Sequence, residues 1–376
     1  MALPREAYTD QKWFETEMNS IFGQSWQFAG FIEDLQEEGD YLTLQCGYQN
    51  IMVIKNAKMK LKAFHNLCRH RGTQLLKTTG KRQKVITCPY HDWMYSLTGE
   101  LIHVPEGEKE FPNLEKNKVC LHKASVGTWR GMIWVNPDPG AAPLNDWFKK
   151  CEPYLGPHDP TRLIEYPDTK SEVIINANWK IVVENYIDVY HLSHLHSETL
   201  KMYKHEAAEF GFVDDHFVFK EPLANKYKKH LPDLSPYKLI EEMISNEFGA
   251  YVPFLFPNTG LSETESTWSI FNVIPLAPDK TKVIIRSKLE PMTNQEYLDQ
   301  QNRSNSNWEL YMGASTQQKE VNDNNPLNSG DFMKEDIFVC EQQQKGMNNP
   351  LFGNYKHAAH LENGVLGFQK IIKKWV

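Results

Sequence analysis

Two short segments of the chain combine cysteine and histidine at the spacing of metal ligands. Cys68 and His70 form a C-x-H pair, and Cys88 and His91 form a C-x-x-H pair after a gap of seventeen residues. Zinc sites usually pair like ligands, because one turn then holds one side of a tetrahedron. Here each segment supplies one thiolate and one imidazole, which suits a [2Fe–2S] cluster of the Rieske type. A zinc site with the same four ligands is the alternative.

A second group of candidate ligands contains three histidines within six residues, His191, His194 and His196. On a helix, Glu184, Asp188 and His191 would share one face, where a core helix would instead carry apolar residues. Imidazole and carboxylate ligands suit Fe(II), and oxygen-activating sites commonly use two His and one carboxylate. Spacing by itself favours His191 with His194, because residues i and i+3 are neighbours on a helix. A partly exposed helix with hydrogen-bonded histidines is the alternative.

The third ligand of such an iron site has to come from elsewhere in the chain. Asp336 is the best candidate, because it precedes an apolar-periodic segment and a helix start holds a carboxylate firmly. Asp331 and Glu335 are the weaker alternatives. The sequence therefore predicts two metal centres, one in each half of the chain.

The spacing of apolar and turn-forming residues predicts the helices and strands that position these candidate ligands. Residues 8–27 have helical periodicity, and residues 40–140 consist of short strand-like runs separated by turns. The second half mixes strands with long helices, so the fold class is α+β. Its predicted strands are 172–176 and 281–286, its predicted helices are 179–190, 294–311 and 336–345, and 322–329 is predicted to be a loop.

Composition narrows the class of protein. The 376 residues carry a net charge of −7, with a pI near 6.1, which argues against nucleic acid as a partner. The six cysteines are scattered without disulfide-scaffold spacing, and no apolar run reaches the length of a signal peptide or a membrane span. We therefore expect a soluble cytoplasmic protein.

The two constellations together resemble the α subunit of Rieske non-haem iron oxygenases, the ring-hydroxylating dioxygenase family. The matching strings are CRHRG with CPYHDW, then NWKIVVENYIDVYHLSHLH, then KEDIFVCEQQQKG, in the order of the family. The length is closer to the compact branch that includes carnitine and choline monooxygenases. The resemblance covers nearly the whole chain.

This resemblance implies a role for each candidate residue. Cys68, His70, Cys88 and His91 become the ligands of one [2Fe–2S] cluster per subunit. His191, His196 and Asp336 become the ligands of one mononuclear Fe(II), so His196 replaces the spacing-based choice of His194. Asp188 becomes the residue that joins the two metal centres. The implied organisation is a helical part of the catalytic domain over 1–39, a Rieske domain over 40–150, and a catalytic domain with an antiparallel sheet surrounded by helices over 151–376.

The implied function is a terminal oxygenase that activates O₂ and hydroxylates an aromatic or other small organic substrate. NAD(P)H would act only indirectly, through a separate flavin or iron–sulfur reductase or a ferredoxin, and the implied assembly is a homotrimer. Hydroxylation or N-demethylation of a quaternary ammonium compound is the alternative within this chemistry. The aromatic stretch 251–258 has two interpretations. Its rings could contact a planar or a quaternary ammonium substrate, or they could belong to the hydrophobic core. A Rieske electron carrier without catalysis is the alternative from another class.

Overall fold

The computed structural model describes residues 2–235, 237–244, 248–301, 326–353 and 356–376. By packing, the chain divides into two compact units. We call residues 15–149, with residue 376, the β unit, and residues 1–14 with 150–375 the mixed unit. Within the described residues no helix is long and apolar enough to cross a membrane.

The β unit contains two antiparallel sheets. The larger has six strands in the order β1-β9-β8-β4-β3-β2, and the smaller has three in the order β5-β6-β7. The strands are β1 (Gln27–Phe31), β2 (Tyr41–Cys46), β3 (Gln49–Lys55), β4 (Leu61–His65), β5 (Ile86–Thr87), β6 (Met94–Tyr95), β7 (Leu101–His103), β8 (Lys123–Trp129) and β9 (Met132–Asn136).

Strand β3 shows how the β unit builds its core. Ile51 and Val53 pack into one apolar cluster, and Met52 and Ile54 pack into another. Successive side chains of a strand point to opposite faces, so β3 is covered on both sides. The second cluster also contains the two loop cysteines, Cys68 and Cys88. The core of the β unit therefore reaches the loops that carry the first pair of motifs.

The N-terminal boundary of the β unit differs from the expected residue 40. Strand β1 pairs antiparallel with β9 and forms an edge of the larger sheet. Only residues 1–14 group with the mixed unit, where the N–H of Leu3 donates to Oε1 of Gln369 at 3.0 Å. Strand pairing between segments far apart in sequence causes this difference.

The mixed unit contains one antiparallel sheet of eight strands. Seven follow the order β10-β17-β16-β15-β13-β12-β11, and β14 pairs with β12 and β15. The strands are β10 (Ile164–Ile175), β11 (Glu209–Val213), β12 (His216–Pro222), β13 (Gly249–Tyr251), β14 (Phe254–Leu255), β15 (Thr259–Glu263), β16 (Trp268–Ala277) and β17 (Lys280–Leu289). The predicted strands 172–176 and 281–286 lie within β10 and β17, which pair with each other.

The helices complete an α+β architecture, which confirms the predicted fold class. They are α1 (Glu6–Thr9), α2 (Gln11–Ser20), α3 (Gly107–Glu110), α4 (Leu144–Phe148), α5 (Trp179–Ile187), α6 (Leu192–Leu195), α7 (Asn225–Lys228), α8 (Leu231–Leu234), α9 (Glu241–Ile244), α10 (described over 294–301), α11 (Phe332–Met347) and α12 (Asn363–Trp375). The remainder of the predicted helix 294–311 lies outside the described residues, as does 322–325 of the predicted loop, and Pro326–Asn328 form a 3₁₀ turn.

In place of the single helix predicted over residues 8–27, the structure has two helices, α1 and α2, and the second ends at Ser20. Asp10 separates them, because its backbone is extended (φ −94°, ψ 135°). Its Oδ1 accepts the N–H of Trp13 at 2.9 Å, as a side chain at a helix start does. The apolar spacing behind the prediction comes from Phe14, Met18, Ile21 and Phe22, which all follow the break, so the break was not visible in it.

Candidate metal centres

The two loops of the β unit that carry Cys and His close with the same backbone hydrogen bonds. In each loop the cysteine N–H donates to the carbonyl five residues later, and its carbonyl accepts from the N–H four residues later. The bonds are Cys68 N to Thr73 O (2.8 Å), Gly72 N to Cys68 O (3.0 Å), Cys88 N to Trp93 O (2.8 Å) and Asp92 N to Cys88 O (3.1 Å). Gly72 (φ 73°) and Asp92 (φ 51°) supply the left-handed residue that each loop needs.

The four side chains of these loops fit a Rieske cluster. Cys68 and Cys88 are buried, are not in disulfides, and lie close enough for their thiols to interact. The rings of His70 and His91 have centroids 4.8 Å apart, and His91 is exposed. Two buried thiolates can thus hold one iron, and two imidazoles nearer the surface can hold the other.

Two aromatic residues support these ligands, and the sequence analysis did not identify them. The ring of Trp93 stacks on His70, with centroids 4.9 Å apart and planes 8° from parallel. The Tyr95 hydroxyl accepts the N–H of Arg69 at 3.0 Å and lies 3.4 Å from Sγ of Cys68. Because the hydroxyl accepts from Arg69, its own proton is available to the sulfur. Tyr95 lies seven residues after Cys88, so only the hairpin of β5 and β6 brings it to the other loop.

In the mixed unit, the structure brings His191, His196 and Asp336 together. One ligand atom of each lies within 4.8 Å of the others. Oδ1 of Asp336 is 3.0 Å from Nε2 of His196 and 3.7 Å from Nε2 of His191. Adjacent ligands at 2.0–2.2 Å from one metal ion are roughly 3 Å apart, so this donor set fits a single ion. Two imidazoles and one carboxylate are the donors that non-haem Fe(II) prefers.

The loop after α5 determines which histidines meet. The helix predicted over 179–190 ends at Ile187, and Asp188 has an extended backbone (φ −77°, ψ 122°). The helical-face argument for Glu184, Asp188 and His191 is therefore wrong. The three ligand atoms that lie together include one from His196 and none from His194. His196 follows the short helix α6 and is buried, whereas His194 is exposed beside the ring of Tyr190.

The three candidate carboxylates at the start of α11 have three different environments. The predicted helix start at Asp336 was wrong, because α11 begins at Phe332. Asp331 caps this helix, and its Oδ1 accepts the N–H groups of Met333 and Lys334. Oε2 of Glu335 lies 2.7 Å from Nδ1 of His196, on the side of the ring opposite Asp336. Only Asp336 among the three contacts the Nε2 side.

Carboxylates flank both imidazoles of this site. Oδ2 of Asp188 lies 3.2 Å from Nδ1 of His191, and Oδ1 of Asp188 accepts the N–H of Tyr190. Burial disfavours a charged imidazole at His196, but the hydrogen bonds to Asp336 and Glu335 outweigh it and raise the pKa of His196 to about 9. Negative charge thus surrounds the two rings, which favours a cation between them.

Glu184 is buried away from the three ligands. Its Oε1 accepts from the Tyr8 hydroxyl at 2.6 Å and from Nε2 of Gln369 at 3.0 Å. Burial raises the pKa of Glu184 to about 7, although these two donors and the charge of Lys180 oppose the rise. The residue therefore joins α5 to α1 and α12. Most of the aromatic stretch 251–258 is likewise core, since Phe254, Leu255 and Phe256 are at most 1% exposed, whereas Tyr251 and Val252 are partly buried.

Comparison with known proteins decides the family. The family described as the ring hydroxylating alpha subunit (catalytic domain) matches residues 155–376, and the Rieske [2Fe-2S] domain matches residues 25–124. The chain belongs to the ring-hydroxylating oxygenase α subunits. It is the terminal component of a Rieske oxygenase, an oxidoreductase that uses a [2Fe–2S] cluster and a mononuclear Fe(II) and receives electrons from a reductase. The resemblance inferred from the motifs is confirmed.

Relatives of this oxygenase act on quaternary ammonium compounds. Choline monooxygenase of Atriplex hortensis is 24% identical over 97% of this chain and 76% of its own length. The glycine betaine monooxygenase oxygenase subunit of Pseudomonas aeruginosa is 33% identical, over 53% of this chain and 46% of its own. The crystal structure of the quaternary ammonium Rieske monooxygenase CntA with L-carnitine has the same fold, with a TM-score of 0.74, 20% identity, and coverage of 100% and 95% of the two chains.

Proposed function

We propose that His191, His196 and Asp336 bind the mononuclear iron, and that Cys68, His70, Cys88 and His91 bind the cluster. The approach of three ligand atoms within 4.8 Å, from segments 140 residues apart, carries the proposal for the iron. The matched hydrogen bonds of the two β-unit loops support the proposal for the cluster. When bound, the iron supplies the activation of O₂ and the cluster supplies electrons.

The residues of the chain orient and shield this chemistry. If His191, His196 and Asp336 hold the iron, three protein ligands would leave positions on it open for O₂. Burial of His196 and Glu335 excludes water from behind the ligands. Asp188 accepts from His191 and is 17% exposed, so it can also accept from an imidazole that approaches from outside. We propose that this second imidazole is a cluster ligand, and that Asp188 links the two centres.

Asp188 can be tested without disturbing either set of ligands. Asp188→Asn should leave the cluster spectrum and most of the mononuclear iron in place. It should slow reoxidation of the reduced cluster by O₂ with substrate present, because an amide stabilises a charged imidazole less well. Single-turnover absorbance measurements give this rate. Reoxidation at the native rate would remove Asp188 from the proposal.

The proposed substrate is a quaternary ammonium compound. The relatives named above support this class, and the surroundings of His196 suit a cation. The Phe332 ring lies edge-on to His196, with centroids 6.2 Å apart. Phe332, Tyr203, Tyr227 and Phe248 all pack against one buried apolar cluster, formed by Met202, Leu223 and Leu231. The Tyr203 hydroxyl lies 3.1 Å from the buried carboxylate of Glu265. Aromatic rings with a carboxylate bind quaternary nitrogen through cation–π and charge attraction.

The proposed reaction inserts one oxygen atom into a C–H bond of this substrate. The C–H compound, O₂, two electrons and two protons give the hydroxylated compound and water. The electrons come from NAD(P)H through a reductase. If the carbon is an N-methyl group, the C–N bond of the hydroxymethyl ammonium product breaks, and formaldehyde, a proton and a tertiary amine are released.

A substrate panel scored by substrate-dependent O₂ consumption tests this proposal. The panel contains choline, glycine betaine, carnitine and γ-butyrobetaine in one arm, and benzoate, salicylate and naphthalene in the other. We expect coupled O₂ uptake and product formation only in the quaternary ammonium arm. Turnover of an aromatic compound alone would instead support ring hydroxylation. A protein that binds zinc without acid-labile sulfide would overturn both.

The proposed assembly is a homotrimer in the cytoplasm, in which each cluster serves the iron of a neighbouring subunit. The family resemblance supports the trimer, and inter-subunit electron transfer is described for the similar monooxygenase CntA. The six free cysteines support a reducing compartment.

A further inference from the structure

We propose that Glu335 is a positioning residue of the oxygenase, which holds the imidazole of His196 through Nδ1 so that Nε2 faces the iron. The inference rests on the proposed iron site. Nothing in the family match or in the ligand motifs assigns this residue, which precedes the carboxylate ligand by one position.

The hydrogen bond between Glu335 and His196 is short, and both side chains are buried from solvent. Oε2 of Glu335 is 2.7 Å from Nδ1, the glutamate is 3% exposed, and the histidine is 1% exposed. Nε2 lies on the opposite side of the ring, 3.0 Å from Asp336. Once Nε2 donates its lone pair to a metal, the ring proton is on Nδ1 and is donated to Glu335. The carboxylate thus selects the tautomer that can bind iron.

Thr199 keeps the carboxylate in place. Its hydroxyl donates to Oε2 of Glu335 at 2.9 Å, and Thr199 is 2% exposed. The same oxygen therefore receives two donors, His196 and Thr199, from one short segment. A buried carboxylate is costly unless it accepts hydrogen bonds, so each of the two donors stabilises the arrangement.

The helix explains how two neighbouring residues reach opposite nitrogens of one ring. Glu335 and Asp336 are both in α11, where successive side chains are about 100° apart around the axis. One turn of α11 can therefore present one carboxylate to each edge of His196. The cap formed by Asp331 determines where this turn begins.

Glu335 and Asp188 are not equivalent, although each contacts an Nδ1. Asp188 is 17% exposed, lies 3.2 Å from His191 and also accepts from a backbone N–H. Glu335 is shielded from water, and Thr199 is the second donor to the oxygen that faces His196. A charge-assisted hydrogen bond is stronger in such surroundings and makes Nε2 a better donor to the metal.

The test compares two carboxylates of α11 with the same chemical change. Glu335→Gln keeps the shape of the side chain but removes its charge, and Glu341→Gln is the control, because Glu341 bonds to Asn176 instead of an imidazole. Iron affinity of the mononuclear site is measured by competition with a chelator. We expect a loss of roughly 10-fold for Glu335→Gln, up to about 100-fold for Glu335→Ala, and a smaller loss for Thr199→Val. The control should retain native affinity.

A spectroscopic measurement separates positioning from general destabilisation. The electron paramagnetic resonance spectrum of the mononuclear iron, with nitric oxide as the probe, should change its rhombicity in Glu335→Gln but not in Glu341→Gln. Native affinity and an unchanged spectrum in Glu335→Gln would overturn the inference. The proposed iron site itself fails only if Asp336→Ala also retains the iron. If Glu335→Ala does not fold, the iron affinities of Glu335→Gln and Thr199→Val and the spectrum of Glu335→Gln still test the inference.

Discussion

At the residue scale, side-chain direction rather than residue type separates ligands from their neighbours. His194 and His196 are two positions apart, yet one is exposed and the other is 1% exposed. Asp336 and Glu335 are adjacent, yet they contact opposite nitrogens of one ring. The same donor types can therefore be ligand, support or surface, depending on the local backbone.

The histidine assignment predicts opposite outcomes for two similar substitutions. His196→Ala should lose the mononuclear iron and keep the cluster, because the second imidazole of the three-ligand set is removed. His194→Ala should keep both centres, since its ring contacts only Tyr190 among the described rings. Iron and sulfide analysis of both purified variants provides the measurement. Loss of iron in His194→Ala alone would contradict the assignment.

The Tyr95 hydroxyl predicts a shift in the reduction potential of the cluster. Tyr95→Phe removes a donor to the sulfur of Cys68 and leaves the ring. The potential should fall on the order of tens of millivolts, because hydrogen bonds to the ligand sulfurs stabilise the reduced cluster. A redox titration followed by visible absorbance measures the shift. Tyr90→Phe is the control, since its hydroxyl contacts Arg71, and equal potentials in both variants would disprove the effect.

At the element scale, helix α5 contacts the first and the last helix of the chain, α1 and α12. Its N-cap, Asn178, accepts the N–H of Lys180 and donates to Pro278. One and a half turns later Glu184 joins α5 to Tyr8 and Gln369. The loop that carries His191 and Asp188 follows directly. The polar contacts of this buried helix thus hold the element that precedes the proposed iron ligands.

Glu184 predicts a specific dependence of stability on pH. Its pKa is about 7 in the folded chain against 4.5 when unperturbed. A raised carboxyl pKa means that its favourable contribution is complete below about pH 4.5 and is lost as pH rises through 7. Glu184→Gln stays neutral, so its Tm relative to the native protein should rise between pH 5.5 and pH 8. Thermal unfolding at several pH values measures this difference, and a difference that does not change with pH would contradict the assigned pKa.

At the scale of the whole molecule, the proposed trimer implies that the cluster of one subunit transfers electrons to the mononuclear iron of a neighbouring subunit. Mixed assemblies test this directly. Asp336→Ala should abolish the mononuclear iron and keep a reducible cluster, and His91→Ala should do the opposite. Each variant is expected to be inactive by itself.

Co-expression of Asp336→Ala with His91→Ala should restore part of the activity, because some neighbouring subunits then combine an intact cluster with an intact iron site. Differently tagged subunits allow purification of the mixed oligomers, and O₂-dependent product formation is the measurement. Mixtures of the separately purified variants, without subunit exchange, serve as the control. Inactive mixed oligomers with full metal content would show that electrons do not pass between subunits.

The sequence by itself determined the family, the fold class and the spacing of the cluster motifs. The β-unit loops could be predicted because each holds its Cys and His within four residues, so local turn geometry brings them together. The order of motifs along the chain then indicated an oxygenase. Local residue preference also located parts of β10 and β17, because β-branched residues favour strands.

Only the tertiary structure decided how the candidate iron ligands are arranged. His196 and Asp336 are separated by 140 residues, so no local pattern indicates which histidine Asp336 approaches. The helix argument failed at Ile187, where the backbone becomes extended. The supporting contacts of Glu335, Thr199 and Tyr95 could not be predicted from the sequence either. Each depends on the direction of a side chain that distant segments bury. Spacing along the chain specifies which atoms are available, and packing specifies which of them meet.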